Sequence, residues 1–452
     1  MNEPIISVSG LRGIVGTSLT PEIAIRYGCA FAAELPPGSI VVSRDGRSTG
    51  LMLAAALNSG LTAVGRDVID ADIAATPTTG VLVRQLHAAG GIQISASHNP
   101  AQYNGLKLFS AAGRVIPEAA GAKVIDRYRQ STPEWVSHDR VGHVKPCADS
   151  IAEHLALILK TVDVDRIRQQ QFKVLLDANR GSGSLLGREL LTALGCEITL
   201  LGERPDGRFE HTPEPTAENL ASVLAAVPQH GCQIGFCQDP DADRLAVIDE
   251  AGRYLGEEYT LAICVNHRLR QQRGPIVTNC STSRMSEDLA EKYGVPFYRS
   301  AVGEANVVDT MLAHEAILGG EGNGGAIDPR VGLVRDSFVG MAMILDAMAE
   351  RSLTISQLAQ ELPRYEIVKT KLTVPREQIP AALEAVARHF NDAKANRLDG
   401  VRLDWPSKWL LVRASNTEPV VRAIAEASTV AEAEKLCREA AAAIGALGSK
   451  AS

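Results

Sequence analysis

Three aspartates, Asp239, Asp241 and Asp243, alternate along Gln238-Asp239-Pro240-Asp241-Ala242-Asp243-Arg244. Carboxylates this close repel one another unless a cation neutralises them. An all-oxygen donor set suits Mg2+, Mn2+ or Ca2+, and three carboxylates leave positions open for a phosphate oxygen. An EF-hand loop would find Glu250 at its twelfth position, but Arg244 stands where its glycine is needed and residues 245–248 read as a strand. A solvated acidic turn is one competing reading. A phosphoaspartate enzyme, with Asp239 as nucleophile and Asp241 as acid/base, is another.

A second stretch, Ser95-Ala96-Ser97-His98-Asn99-Pro100, follows the apolar run Gly90–Ile94. It puts serine and histidine at a strand end, and Pro100 cannot continue the ladder. Loops at strand carboxyl ends of α/β proteins open onto a crevice. Arg413, Ser415, Asn416 and Thr417 offer a guanidinium, two hydroxyls, an amide and backbone N–H groups in one short loop. That set matches the oxygens of a phosphate, and Arg422 adds charge. Glu321 and Asn323 sit in the glycine-rich stretch 319–325, suited to exchanging hydrogen bonds with hydroxyl or amino groups. Arg12, between Gly10 and Gly13, can reach an anion where backbone comes close. Residues 103–107 read as a hairpin turn, with Lys107 pointing to the serine loop or to water. Gly303, in a connection over 299–304, permits close ligand approach. Each stretch alone is an ordinary turn. Together they offer a nucleophile, a cation site, a hydroxyl-reading loop and a phosphate cradle, which suits phosphoryl transfer on a polyhydroxy substrate.

The elements that carry these loops recur. Apolar strands at 40–42, 172–176 and 275–277 each lead through a polar loop to a helix, at 51–59, 185–194 and 285–293. Each is followed by a second strand, at 90–94, 232–237 and 316–318, that ends in one of the conspicuous loops. The pattern predicts three related α/β units with parallel strands. Residues 131–150 are polar and contain Pro133 and Pro146, as in a linker. A helix is expected over 351–364, ended by Pro363. Beyond it, strands at 368–374, 401–404, 409–412 and 420–426, with helices at 379–390 and 430–447, predict a smaller unit. The expected fold is α/β: three related α/β domains with mixed, mostly parallel sheets plus a smaller C-terminal α+β domain, the active site in the central cleft. The expected domains are 1–150, 151–252, 253–365 and 366–452.

Bulk properties narrow the function. The 452 residues exceed what one core holds, so several domains are expected. Hydrophobic residues at 45% and charged residues at 22% are those of a globular protein. The net charge of −7, with no basic stripe, argues against a nucleic-acid partner. No apolar run is long enough to span a membrane, and Met1-Asn2-Glu3-Pro4 lacks a secretory signal's basic start. Eight cysteines contain no C-x-x-C pair, which fits buried apolar residues in a reducing cytoplasm.

The same motifs, in the same order, resemble those of the α-D-phosphohexomutases, the family of phosphoglucomutase, phosphomannomutase and phosphoglucosamine mutase. The resemblance covers nearly the whole chain. It implies a phosphorylated nucleophile at Ser97, within 95–100, and a Mg2+ site of Asp239, Asp241, Asp243 and the Ser97 phosphoryl group, one ion per chain. It implies that Arg413, Ser415, Asn416 and Thr417 bind the substrate's phosphate, that Glu321 and Asn323 read the sugar, and that Arg244 follows the metal loop. Arg12 and Lys107 match the family's N-terminal arginine and the lysine after its serine loop. Lys107 and His98 are the candidate bases. The expected partner is a sugar phosphate, with a hexose 1,6-bisphosphate as intermediate and activator, and the expected assembly a monomer or homodimer. One departure stands out. The family's sugar loop has a serine after Glu-x, and often a histidine two residues later; this chain has Asn323 and Gly325 there. The form Glu321-Gly322-Asn323-Gly324-Gly325 looks most like a bacterial and archaeal subgroup assigned as phosphoglucosamine mutase. Phosphomannomutase or phosphoglucomutase activity by the same mechanism is the alternative, and a non-catalytic sugar-phosphate binding protein is the alternative of another class.

Overall fold

The computed structural model describes residues 3–7, 9–414 and 420–448. They form four sheets, one per predicted unit. The first runs, in spatial order, Ile5–Ser7, Gly10–Ile14, Tyr103–Ser110, Gly90–Ile94, Ile40–Arg44, Val68–Ile73 and Val144–Pro146. Its last four strands are mutually parallel, and Tyr103–Ser110 returns antiparallel to Gly90–Ile94. The second runs Leu245–Asp249, Ile234–Gln238, Lys173–Asp177 and Glu197–Leu201, and the third Phe297–Ser300, Ile276–Asn279, Leu318–Glu321 and Gly325–Ile327. In both, an antiparallel return strand is again added to a parallel core. The fourth sheet is antiparallel throughout: Glu366–Thr373, Val420–Ala427, Lys408–Ala414, Val401–Trp405 and Lys394–Asn396.

This topology explains where the chemistry sits. The serine loop, the aspartate loop and residues 322–324 all join the third parallel strand of a unit, not the second as the sequence pattern suggested, to its antiparallel return strand; the strands Val68–Ile73, Glu197–Leu201 and Phe297–Ser300 intervene. In each unit the end of the first parallel strand, or the loop after it, is hydrogen-bonded to the end of the third or to the loop that follows. Ser95 Oγ donates to Asp45 Oδ2 at 2.7 Å in the first unit. Ser182 Oγ donates to the Pro240 carbonyl at 3.0 Å in the second. Asn279 Nδ2 donates to Glu321 Oε1 at 2.6 Å in the third.

One apolar core spans the second and third units. The helix Ser337–Arg351 is buried along nearly its whole length there, as its almost continuous apolar sequence requires. The fourth unit docks on the third through Trp409, Leu411 and Ile424, which pack with Cys280. Glu426 Oε1 accepts from Trp409 Nε1 at 2.7 Å and from the Arg284 N–H at 3.0 Å across the same junction. No helix among the described residues is long and apolar enough to cross a membrane.

Three further expectations are corrected. Residues 103–107 are not a turn; they begin the strand Tyr103–Ser110, paired on both sides. Gly105 is needed there because a Cβ would lie 2.4 Å from the Leu11 carbonyl oxygen, so the glycine serves strand packing rather than turn formation. The helix expected over 351–364 is instead the end of Ser337–Arg351 and a separate helix, Ile355–Gln360. Ser352, at φ 51°, stops the first, and a Thr354 capping box starts the second. The segment 131–150 is not wholly irregular, since Val144–Pro146 adds an edge strand.

Candidate active site

Ser97 is buried and held at φ 50°, a left-handed conformation that costs a non-glycine residue roughly 1–2 kcal/mol. The surroundings impose it. The Ser97 N–H donates to Ser95 Oγ at 2.8 Å. The Arg47 guanidinium, fully buried, donates to the carbonyls of Ser97 at 2.6 Å, Asn99 at 2.7 Å, Pro100 at 2.8 Å and Tyr103 at 3.0 Å. Asp45 holds its Nε at 3.0 Å, and the Phe209 ring of the second unit lies 4.9 Å from the guanidinium carbon. Arg12 Nη1 donates to Asn99 Oδ1 at 3.1 Å. His98 Nδ1 lies 3.3 Å from Ser97 Oγ. Burial, then Arg244 and Arg12, pull the His98 imidazole down to about 2, so it is neutral at any working pH.

Ser97 Oγ donates to Asp239 Oδ2 at 2.7 Å, joining the first unit's loop to the second's. Asp239, Asp241 and Asp243 are fully buried, and one oxygen from each lies within 4.8 Å of the others. Asp241 Oδ1 and Asp243 Oδ1 have no hydrogen-bond partner. Buried carboxylate oxygens left without donors are costly, so the set fits a divalent cation better than an acidic turn. Cationic side chains hold the other oxygens of Asp241 and Asp243. Lys107 Nζ lies 3.2 Å from Asp241 Oδ2 and 2.7 Å from Asp243 Oδ2. Thr76 Oγ1 donates to Asp241 Oδ2 at 2.6 Å. Burial works against the Lys107 ammonium, but Asp241, Asp243 and Glu304 outweigh it and raise its pKa. Burial and the neighbouring Asp241 and Asp243 push Asp239 well above the usual carboxylate range.

Glu321 ends its strand rather than lying in the loop. Its Oε1 accepts from Asn279 Nδ2 and, at 3.1 Å, from the Gly303 N–H; Arg335 Nη1 lies 3.1 Å from its Oε2. Gly303 thus meets Glu321 through its backbone. Asn323 Oδ1 accepts from the Gly325 N–H at 3.4 Å. At Gly325 a Cβ would stand 2.6 Å from both Arg335 Cβ and the Asp243 carbonyl oxygen, so the packing of Arg335 leaves no room for a histidine there. Arg244 donates its backbone N–H to Asp239 Oδ1 at 3.1 Å, and its buried Nε, which makes no hydrogen bond, lies 4.0 Å from Asp239 Oδ2.

In the fourth unit Arg413 Nε donates to Asp399 Oδ2 at 2.9 Å, and the same oxygen accepts from the Val302 N–H at 3.0 Å. Arg413 lies directly opposite Arg422, and Arg422 directly opposite Lys371, across three adjacent strands. Ser415, Asn416 and Thr417 lie outside the described residues. A cavity of about 630 Å³ is lined by Lys369, Glu257, Glu258, Ser283 and Gly322, between the third and fourth units.

The sequence motifs located the serine, the aspartates and Glu321. They did not point to Arg47, Thr76, Asn279 or Arg335. Arg47 sits in the polar loop after the first strand, and Arg335 interrupts an apolar stretch beside the helix-capping Asp336; those positions were the available signals.

Known proteins share the four-domain organisation. Four models of the phosphoglucomutase/phosphomannomutase family match in order: α/β/α domain I over residues 5–134, domain II over 152–252, domain III over 257–365 and the C-terminal domain over 370–443. A Thermococcus kodakarensis protein named phosphoglucomutase/phosphomannomutase is 36% identical over 94% of this chain and 95% of its own. A Thermococcus gammatolerans protein named "probable phosphoglucosamine mutase" is 32% identical over 96% of each. A crystal structure of a phosphoglucomutase/phosphomannomutase family protein from Burkholderia thailandensis superposes with a TM-score of 0.85 at 27% identity, over 98% of both chains. The chain belongs to the phosphoglucomutase/phosphomannomutase family, the α-D-phosphohexomutases.

Proposed function

We propose that this family member interconverts hexose 6-phosphate and hexose 1-phosphate through a phosphoserine at Ser97, with glucosamine phosphate as its preferred substrate. The observation that carries the reading is the 2.7 Å hydrogen bond from Ser97 Oγ to Asp239, inside a carboxylate set with two unpartnered oxygens. Asp239, Asp241 and Asp243 would hold Mg2+, which supplies positive charge against the transferring phosphoryl group. The rest is done by side chains of this chain. The substrate's own phosphate docks against Arg413 and Arg422, with Ser415, Asn416 and Thr417 as further donors. Glu321, Asn323 and Gly303 orient the ring, and Arg244 faces the reacting end. The sugar hydroxyl attacks the phosphorus, the bond to Ser97 Oγ breaks, and a hexose 1,6-bisphosphate forms. After that intermediate turns end for end, Ser97 Oγ attacks its other phosphate and the hexose hydroxyl leaves.

Serine needs a base for the return step. Neutral His98 contacts Ser97 Oγ but binds a proton poorly. Lys107 becomes able to accept a proton only once its carboxylate partners are neutralised from elsewhere. Arg12 offsets phosphate charge at the serine loop. The preference for glucosamine rests on the Glu-Gly-Asn-Gly-Gly form of the sugar loop and on relatives that carry the phosphoglucosamine mutase name.

Rates with glucosamine, glucose and mannose 6-phosphates, each with Mg2+ and the matching 1,6-bisphosphate, test this reading. The highest kcat/KM is expected with glucosamine. Faster turnover of glucose or mannose phosphate would reassign the sugar. Binding without turnover of all three would make the protein a sugar-phosphate binder.

A further inference from the structure

Arg335 touches both Asp243 of the aspartate loop and Glu321, which leads into the sugar loop. Its Nη2 lies 2.8 Å from Asp243 Oδ2, its Nε 2.9 Å from Glu304 Oε2 and its Nη1 3.1 Å from Glu321 Oε2. It is buried, as are all three carboxylates. A planar guanidinium with five donors can serve three acceptors at fixed angles, and an ammonium cannot. The fit is close on the other side too, since Gly325 has no space for a side chain between Arg335 and the Asp243 carbonyl. Lys107 shares Asp243 with it, so two cations balance that carboxylate.

We infer that Arg335 is a positioning residue that sets Glu321 for the sugar and at the same time restrains cation affinity at Asp243. The inference rests on the mutase reading. Arg335 holds Glu321 Oε2, while Asn279 and Gly303 hold Oε1, so the carboxylate is fixed from both sides. Remove the guanidinium, and Asp243, Glu304 and Glu321 lose their shared counter-charge and repel one another. Glu321 then leaves its sugar-reading position. The aspartate loop gains net negative charge, so a divalent cation binds it more tightly. The two affinities move in opposite directions, which a general loosening of the fold does not produce.

The test uses the full-length protein without turnover. Mn2+ binding is titrated by electron paramagnetic resonance, and glucosamine 6-phosphate binding by calorimetry, for the unsubstituted protein, Arg335→Gln and Arg335→Lys. In Arg335→Gln the sugar-phosphate Kd is expected to rise at least about 10-fold and the Mn2+ Kd to fall about 3-fold or more. Arg335→Lys keeps the charge but not the fork, so Mn2+ affinity stays near that of the parent while sugar affinity falls to an intermediate value. Unchanged sugar affinity in Arg335→Gln, or parallel loss of both affinities in both variants, overturns the inference alone. Failure of the unsubstituted protein to bind any hexose 6-phosphate overturns the mutase reading and this inference with it.

Discussion

The Arg47 guanidinium donates to the carbonyl of Ser97 at 2.6 Å, and the same group gathers the carbonyls of Asn99, Pro100 and Tyr103. A strained serine is thereby held on target by one buried cation. Lysine cannot reproduce four divergent contacts. Arg47→Lys is expected to slow phosphorylation of Ser97 about 100-fold, the scale of a 1 Å misplacement of a reacting group. Quench-flow labelling from hexose bisphosphate, beside a thermal melt showing retained structure, checks it.

Lys107 is ion-paired with the carboxylate set, 2.7 Å from Asp243 Oδ2 and 3.2 Å from Asp241 Oδ2. Lys107→Met removes a competitor for cations and a candidate base together. Turnover is expected to fall on the order of 10²–10⁴-fold, while Mn2+ binds more tightly than in the parent. Weaker Mn2+ binding would show that Lys107 supports the ion rather than competing with it.

Gly324 sits at φ 79°, and a Cβ there would lie 1.9 Å from the Leu245 carbonyl oxygen. The sugar loop therefore rests directly on the strand that follows the aspartate loop. Gly324→Ala is expected to destabilise the protein by more than about 1 kcal/mol and to raise KM for the sugar phosphate more than it lowers kcat. Urea unfolding and steady-state kinetics measure the two effects.

Glu258 accepts from the Ser283 N–H at 3.0 Å and borders the large cavity. Burial, only partly offset by Lys369, pushes its carboxyl up to about 8. The folded state therefore holds a proton that the unfolded state releases at the ordinary glutamate range. Stability linked to this group is greatest at low pH and is lost as pH rises toward 8. Glu258→Gln is expected to raise the melting temperature at pH 9 and to leave it unchanged near pH 4. Calorimetric scans across that range check the sign.

Contiguous motifs made much of this site legible in sequence. Asp239, Asp241 and Asp243 lie on one connection, so their mutual repulsion can be read from spacing alone. The repeat of strand, loop and helix likewise exposed the three α/β units. Groups that work by long-range contact were not legible. Arg335 reaches Asp243 from 92 residues away, and Thr76 reaches Asp241 from 165. Gly105 misled because Asn-Gly signals a turn, whereas here the missing side chain lets Tyr103–Ser110 lie against Leu11. The turn chemistry is spent a few residues earlier, where Pro100 ends the serine loop.

Transfer through Ser97 is the claim on which the account depends, and phosphate mapping measures it most directly. Protein is incubated with Mg2+ and hexose 1,6-bisphosphate labelled in its phosphates, then digested and analysed by mass spectrometry. The account predicts one phosphate on Ser97, exchangeable with unlabelled hexose 6-phosphate and absent from Ser97→Ala. Folded protein that never takes label at Ser97, or that carries it as a hydroxylamine-labile acyl phosphate lost in Asp239→Asn, would contradict the account.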